Sequence, residues 1–287
     1  MRPFSLHRPT GTREASELLV EYGDEAAFYC GGTELLAIAK MGLARASHLV
    51  DLKRIPELRG IERSDGMLRI GAAVTHREIE TSATVLEAAP TMAAMERDIA
   101  NIRVRHTGTL GGNVCFAEPH SDPTTFLAAW GAEVELQAIE ARRRLSIDRF
   151  VLGAFETARR PEEVLVAIWL PDLPHRSTVS HRKIRFNEYP AATVACRLTS
   201  RDDCLWNCRV VVGSVGDIPT EVTSAGALLE GTRLEDAPAA LQEAARLAAR
   251  DCEPNEDLNG SVEYKRALVE VLVRRAAQAA LADISGH

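Results

Sequence analysis

Hydrophobic and polar positions follow two periods along this chain. In the first half, short apolar runs of strand length come between segments of helical spacing. AAFYC (26–30) reads as a short apolar strand, and ELLAIAKMG (34–42) has helical spacing. HLVDL (48–52) and MLRIGAAVT (67–75) read as buried strands, while HREIETSATVLEAAP and TMAAMERDIANI (91–102) carry helical periodicity. AEVELQAI (132–139) alternates like a half-buried strand, and EEVLVAIWLP (162–171) is apolar enough for a central one.

A break follows. PDLPHRSTVSH (171–181) holds prolines and polar residues, the composition of an inter-domain linker, and splits the chain into domains 1–174 and 175–287. Beyond it lie strand candidates HRKIRFNE, ATVACRLTS and WNCRVVVGSVG, with turn signals such as SRDD between them. Helical stretches near 221–230, 236–251 and 260–282 close the chain, and strands followed by helices predict an α+β unit. The last helix is expected to expose Lys265, Arg266, Arg274 and Arg275. That face is either solvated, with its charges balancing the helix end, or a contact surface for a partner subunit.

Composition adds limits. At 287 residues, 46% hydrophobic and 26% charged, the chain is an ordinary globular protein with room for two or three domains. A net charge of -7 argues against nucleic acid or an anionic membrane as the main partner. No apolar run reaches the roughly 18 residues of a membrane span, and the opening MRPFSLHRPTGTREASELL lacks a signal-peptide core. Cys30, Cys115, Cys196, Cys204, Cys208 and Cys252 are too scattered for a disulfide scaffold. The pair Cys204 and Cys208 has no nearby Cys/His partners to complete a metal set. Small buried thiols in a reducing cytoplasm are the expectation.

The candidate chemistry lies in two glycine loops. CGGTELL (30–36) puts Gly31 and Gly32 ahead of a helix, with Thr33 placed to cap it and offer a hydroxyl. GTLGGN (108–113) offers Gly108, Gly111, Gly112, the Thr109 hydroxyl and the Asn113 amide. Glycine admits positive φ and close ligand approach, and exposed backbone N–H groups suit anionic phosphates. No lysine follows the glycines, against a nucleoside-triphosphate loop, and G-x-G-x-x-G is absent, against a Rossmann loop. Asp122 adds a carboxylate able to accept hydrogen bonds from a ribose or a base. Either loop alone is readable as a tight structural turn. Two together fit a pyrophosphate gripped from both sides, and FAD better than a mononucleotide.

These loops resemble those of the FAD-binding medium subunit of the molybdenum hydroxylases, the family of xanthine dehydrogenase and aerobic carbon monoxide dehydrogenase. The family's A-G-G-T-[DE]-L-L is found as CGGTELL, with Cys30 in place of alanine. Its I-R-x-x-G-T-[IL]-G-G-N is found as VRHTGTLGGN, with Val104 and Arg105 leading. PHSDPTTFLAAWGAEVEL matches its P-x-S-D segment and L-G-A, with Trp130 at the leucine. HLVDLKRIPEL, GSVGDIPTEVTSAGALLEG and DLNGSVEYKRALVEVLVRRAAQAAL extend the likeness over nearly the whole chain.

The resemblance implies a two-subdomain FAD-binding domain of the PCMH type. A C-terminal domain of the carbon monoxide dehydrogenase medium-subunit type follows, a three-stranded antiparallel sheet with helices. It implies FAD contacts from Cys30, Gly31, Gly32, Thr33, Glu34 and Leu35, from Gly108, Thr109, Gly111, Gly112 and Asn113, and from Asp122 on the ribose side. Lys183 falls where the family often has a lysine near the flavin; a plain surface lysine is the other reading. The implied role is electron transfer in a cytoplasmic complex, a dimer of heterotrimers. A large partner would hold the molybdenum cofactor and a small partner two [2Fe–2S] clusters. No side chain here need be catalytic, and His76, His106 and His120 are expected to be structural or solvent-facing. With only Cys115 after the second loop, no iron–sulfur cluster is expected in this chain. A self-contained flavin oxidoreductase and a flavin-free assembly subunit are the competing readings.

Overall fold

The computed structural model describes residues 3–44, 46–186 and 189–286. The chain forms two compact units. One runs up to Ala117 and includes Ala132–Leu170; the other joins Glu118–Gly131 to the chain from Pro171 onward.

In the first unit, β1 (Ser5–His7), β2 (Ala26–Tyr29) and β3 (His48–Asp51) make a small sheet with β3 in the middle, parallel to both neighbours. Helix α1 (Thr12–Tyr22), which the sequence reading did not anticipate, buries Ala15 and Leu19 in the core behind this sheet with Val50, Ile55 and Leu58. Helix α2 (Leu35–Lys40) follows β2. A second sheet contains β4 (Ile61–Ser64), β5 (Met67–Gly71), β6 (Glu133–Gln137), β7 (Arg142–Ser146) and β10 (Val164–Pro171), in the order β4-β5-β10-β6-β7. The apolar run at 162–171 is thus the central strand it was expected to be, with Val164–Ile168 buried. Short strands β8 (Val151–Gly153) and β9 (Glu156–Thr157) pair as a hairpin after α9 (Ile147–Phe150).

Side-chain caps start four of this unit's helices. Thr75 and Glu78 form a reciprocal capping box at the start of α3 (His76–Thr81). Ser82 then turns extended and caps α4 (Ala83–Ala88), so the single helical stretch read from 76 onward is two helices. Helices α5 (Pro90–Arg97), α6 (Ile102–Thr107) and α7 (Leu110–Phe116) continue the series, α6 capped by Asn101 and α7 by Thr109.

In the second unit, β11 (Ser177–Arg185), β12 (Pro190–Arg201), β13 (Cys204–Gly213) and β14 (Thr220–Glu221) form an antiparallel sheet in sequence order. The expected three strands are present, with a two-residue fourth added at the edge. The linker reading is corrected: Ser177–His181 already belong to β11, each paired with β12. Helices α10 (Thr223–Leu229), α11 (Ala237–Asp251) and α12 (Val262–Ser285) cover one face, where Val194, Cys196, Leu198, Val210 and Val212 meet Ala244, Val269, Leu272 and Ala276.

Helix α8 (Asp122–Trp130) lies on the opposite face and is buried along its whole length. A helix buried on every side has no solvent face to offer. Its ends carry the charges its dipole favours: Asp122 in the first turn, and Arg197 and Arg209 donating to the carbonyls of Trp130 (3.1 Å) and Ala128 (2.6 Å) in the last. Gly213 permits the approach, since a Cβ there would lie 1.9 Å from the Thr125 hydroxyl.

The exposed-face expectation for α12 is corrected at Lys265. That side chain is only 1% exposed, its ammonium 2.7 Å from Oδ2 of Asp257. Arg274 and Arg275 are exposed, and Arg266 is half-buried and donates to the Arg250 carbonyl. No helix among the described residues is long and apolar enough to cross a membrane.

Candidate cofactor site

The two glycine loops meet within the first unit. The first leaves the carboxyl end of β2 at Cys30. The second is the turn between α6 and α7. A Cβ at Gly31 would lie 2.4 Å from the Thr107 carbonyl oxygen, 2.8 Å from Cα of Gly108 and 3.0 Å from the Thr109 nitrogen. Real Cβ contacts do not come that close, so only glycine lets the loops touch. Gly32 takes φ +72°, and a Cβ there would strike the Tyr29 ring at 2.4 Å.

Each loop handles its backbone donors differently. In the second, Leu110 N donates to the Val74 carbonyl (3.1 Å), Gly111 N to Ala72 (3.0 Å) and Gly112 N to the Thr109 hydroxyl (3.1 Å). Asn113 N donates to the Thr109 carbonyl at 2.9 Å. The turn is therefore rigid, and Gly112 sits exposed at its lip. In the first loop, the amides of Gly32, Thr33 and Leu35 donate to nothing among the described residues. The expected cap at Thr33 is corrected: the capping position is Glu34, and no side chain accepts a bond there. Open amides, glycines in place of side chains and a rigid opposing turn fit a diphosphate, whose oxygens accept N–H bonds.

The second loop is braced from behind. His76 is 3% exposed, its Nδ1 2.7 Å from Oε2 of the fully buried Glu96. Its backbone N donates to the Gly108 carbonyl at 3.1 Å, and its ring lies against the side of Gly108 that lacks a Cβ. His76 is thus a structural prop, while His106 is exposed. Burial raises the Cys30 thiol above its ordinary range and pushes Cys115 up to about 11, so both stay protonated at neutral pH.

Asp122 and Lys183 belong to the second unit and are brought together there. They form an ion pair, with both side chains nearly buried, and the lysine is not a plain surface residue. His181 Nε2 lies 3.5 Å from the other carboxylate oxygen, on the same strand face as Lys183. Sequence reasoning missed His181, although its spacing two residues before Lys183 on a strand carried the signal. It also missed the bridge at His120, which contacts Glu118 (2.8 Å) and Asp257 (3.1 Å) and links the P-H-S-D segment to the loop ahead of α12. The bond with Glu118, aided by Asp257 and opposed by burial, raises the His120 pKa. Burial tends to raise the Asp257 carboxyl, but bonds from Lys265, the Asn259 amide and His120 outweigh it and hold it low.

A sheet-and-helix unit with converging glycine loops, followed by an antiparallel sheet under helices, defines a flavin-nucleotide-holding subunit. Comparison with known proteins specifies which. Residues 2–173 match the family described as the FAD binding domain in molybdopterin dehydrogenase, and residues 178–280 match the CO dehydrogenase flavoprotein C-terminal domain. The carbon monoxide dehydrogenase medium chain of Hydrogenophaga pseudoflava is 31% identical over 97% of both chains. The nicotine 6-hydroxylase medium subunit of Paenarthrobacter nicotinovorans is 31% identical over 93% of both. A solved structure of carbon monoxide dehydrogenase from Hydrogenophaga pseudoflava superposes with a TM-score of 0.94, covering 98% of each chain at 31% identity. The chain belongs to this family, the FAD-binding medium subunits of molybdenum-containing dehydrogenases, and is an oxidoreductase subunit.

Proposed function

We propose that this chain is the electron-transferring FAD subunit of a cytoplasmic, multisubunit molybdenum hydroxylase. Its partners are a large subunit with the molybdenum cofactor and a small [2Fe–2S] subunit, arranged as a dimer of heterotrimers. The observation that carries the reading is the contact of Gly31 with the backbone of Thr107–Thr109, which turns two distant glycine loops into one cradle. Names among the relatives support the partner set: they are medium chains or subunits of dehydrogenases and hydroxylases. Bound FAD exchanges single electrons with iron–sulfur clusters and electron pairs with an organic acceptor.

The chain's own residues bind and orient. The open amides of the first loop, with Gly31, Gly32, Thr33, Glu34 and Leu35, take one side of the diphosphate. Gly108, Thr109, Gly111, Gly112 and Asn113 take the other. Thr109 spends its hydroxyl on capping α7 and fixing the second loop rather than on chemistry. Asp122 receives a hydroxyl on the ribose side of the cofactor, held in place by Lys183. The chain purified alone should show flavin absorption bands, about one FAD per chain on extraction, and no turnover of an organic substrate. A colourless protein that takes up no added FAD would remove the reading. Turnover of an organic substrate without partners would favour a self-contained oxidoreductase.

A further inference from the structure

A diphosphate carries two negative charges, and CGGTELL and GTLGGN contain no lysine or arginine to balance them. The small parallel sheet supplies one cation at the right end. Tyr29 and Asp51 are paired at the carboxyl ends of neighbouring parallel strands β2 and β3. In sheets of this kind, ligands bind outside the carboxyl ends of the strands. The first glycine loop leaves one of these ends and Lys53 lies just past the other. Leu52 N donates to the Tyr29 carbonyl at 2.8 Å, which keeps the two exits side by side.

The lysine side chain turns toward the loop. Its ammonium stands over the Tyr29 ring, 3.9 Å from the centroid, and Gly32 rests on the edge of that ring. The cation–π contact holds a flexible side chain in one place. Asp51, which is buried, accepts from the Lys53 backbone N (3.1 Å) and lies 3.5 Å from the ammonium, too far for a tight pair. The side chain is 40% exposed, so the ammonium keeps an open side. The Cys30 thiol is raised chiefly by burial, and the nearby Lys53 ammonium works against that rise.

We infer that Lys53 is a binding residue for the cofactor's diphosphate, supplying positive charge that the glycine amides lack. The inference rests on the FAD reading above. It predicts dependence on ligand charge: Lys53 acts on phosphate and leaves the uncharged ring system alone.

The test is flavin binding to the full-length apoprotein, followed by fluorescence, for wild type, Lys53→Met and Lys53→Arg. Methionine keeps the stem against Tyr29, and a thermal melt of each variant confirms folding. FAD affinity of Lys53→Met is expected to fall roughly tenfold at low ionic strength, the value of one charge-assisted hydrogen bond. The deficit shrinks toward 1 M salt, where the screening length is about 3 Å. Riboflavin, which has no phosphate, should bind both proteins alike, and Lys53→Arg should recover most of the FAD affinity. A folded Lys53→Met protein with FAD affinity within about twofold of wild type at low salt overturns the inference while the FAD reading stands. An equal loss for riboflavin and FAD also overturns it, because the effect is then not one of phosphate charge. Wild-type protein that binds neither ligand overturns both.

Discussion

Replacing Gly31 with alanine tests the cradle with one carbon atom. The new Cβ would meet three backbone atoms of the opposing loop, at 2.4, 2.8 and 3.0 Å. Backbone does not swing aside as a long side chain does, so the loops must part or the strain must stay. Overpacking of this kind costs about 1–3 kcal/mol. If the loops part in the free protein, FAD binding must close them again and affinity falls, by roughly tenfold for each 1.4 kcal/mol. If the loops stay together, the same energy appears as lost stability. Calorimetric titration of the apoprotein with FAD, beside a thermal melt, measures both parts. The expected result is a loss of roughly tenfold or more in affinity with a melting point lower by a few degrees at most. Gly11→Ala is the control, because a Cβ there meets nothing within 4 Å. Unchanged FAD affinity and an unchanged melt in Gly31→Ala would refute the reasoning that loop contact is needed.

Other perturbations probe the remaining parts. Gly32→Val, at φ +72° and against the Tyr29 ring, should abolish flavin retention, and a bulky residue at Gly112 should do the same by disturbing the Thr109 cap; extracted FAD per chain measures both. Thr109→Val removes that cap at a cost of about 1 kcal/mol, while Thr109→Ser keeps it, as melts of the two variants should show. His120 has a raised pKa in the folded state, so its contribution is full below pH 6.5 and is lost as pH rises through the raised value. The melting point of wild type relative to His120→Gln should therefore decline between neutral and alkaline pH; a constant difference would mean the bridge does not titrate. Lys265→Met leaves Asp257 without its closest cation and should destabilise the chain by about 1–3 kcal/mol, read from denaturant unfolding.

Much of this architecture was legible because its signals are local. Within 162–171 the residues from Val164 on are apolar at successive positions, the pattern of a strand buried on both faces, and this strand lies in the middle of its sheet. The glycine loops were legible as loops from spacing alone. Their contact was not, since it joins residues 31 and 107–109 through tertiary packing. Helix α1 escaped notice because its buried face is small, with Thr12, Ala15 and Ser16 beside Leu19. Lys265 was misplaced because a lysine on a helix reads as solvated; its burial is set by Asp257, eight residues earlier across a turn. Ser177–His181 read as linker because prolines and polar side chains precede them, yet β12 supplies hydrogen-bond partners that composition does not reveal. Thr33 lost its capping role because α2 begins later than the glycines suggested.

The central claim is that the two glycine loops hold one diphosphate between them. A crystal structure of the FAD-loaded chain measures this directly. Phosphate oxygens should lie about 2.7–3.2 Å from amides of the first loop, with the second loop closing the other side. A diphosphate bound elsewhere, or touching one loop while the other faces solvent, would contradict the account.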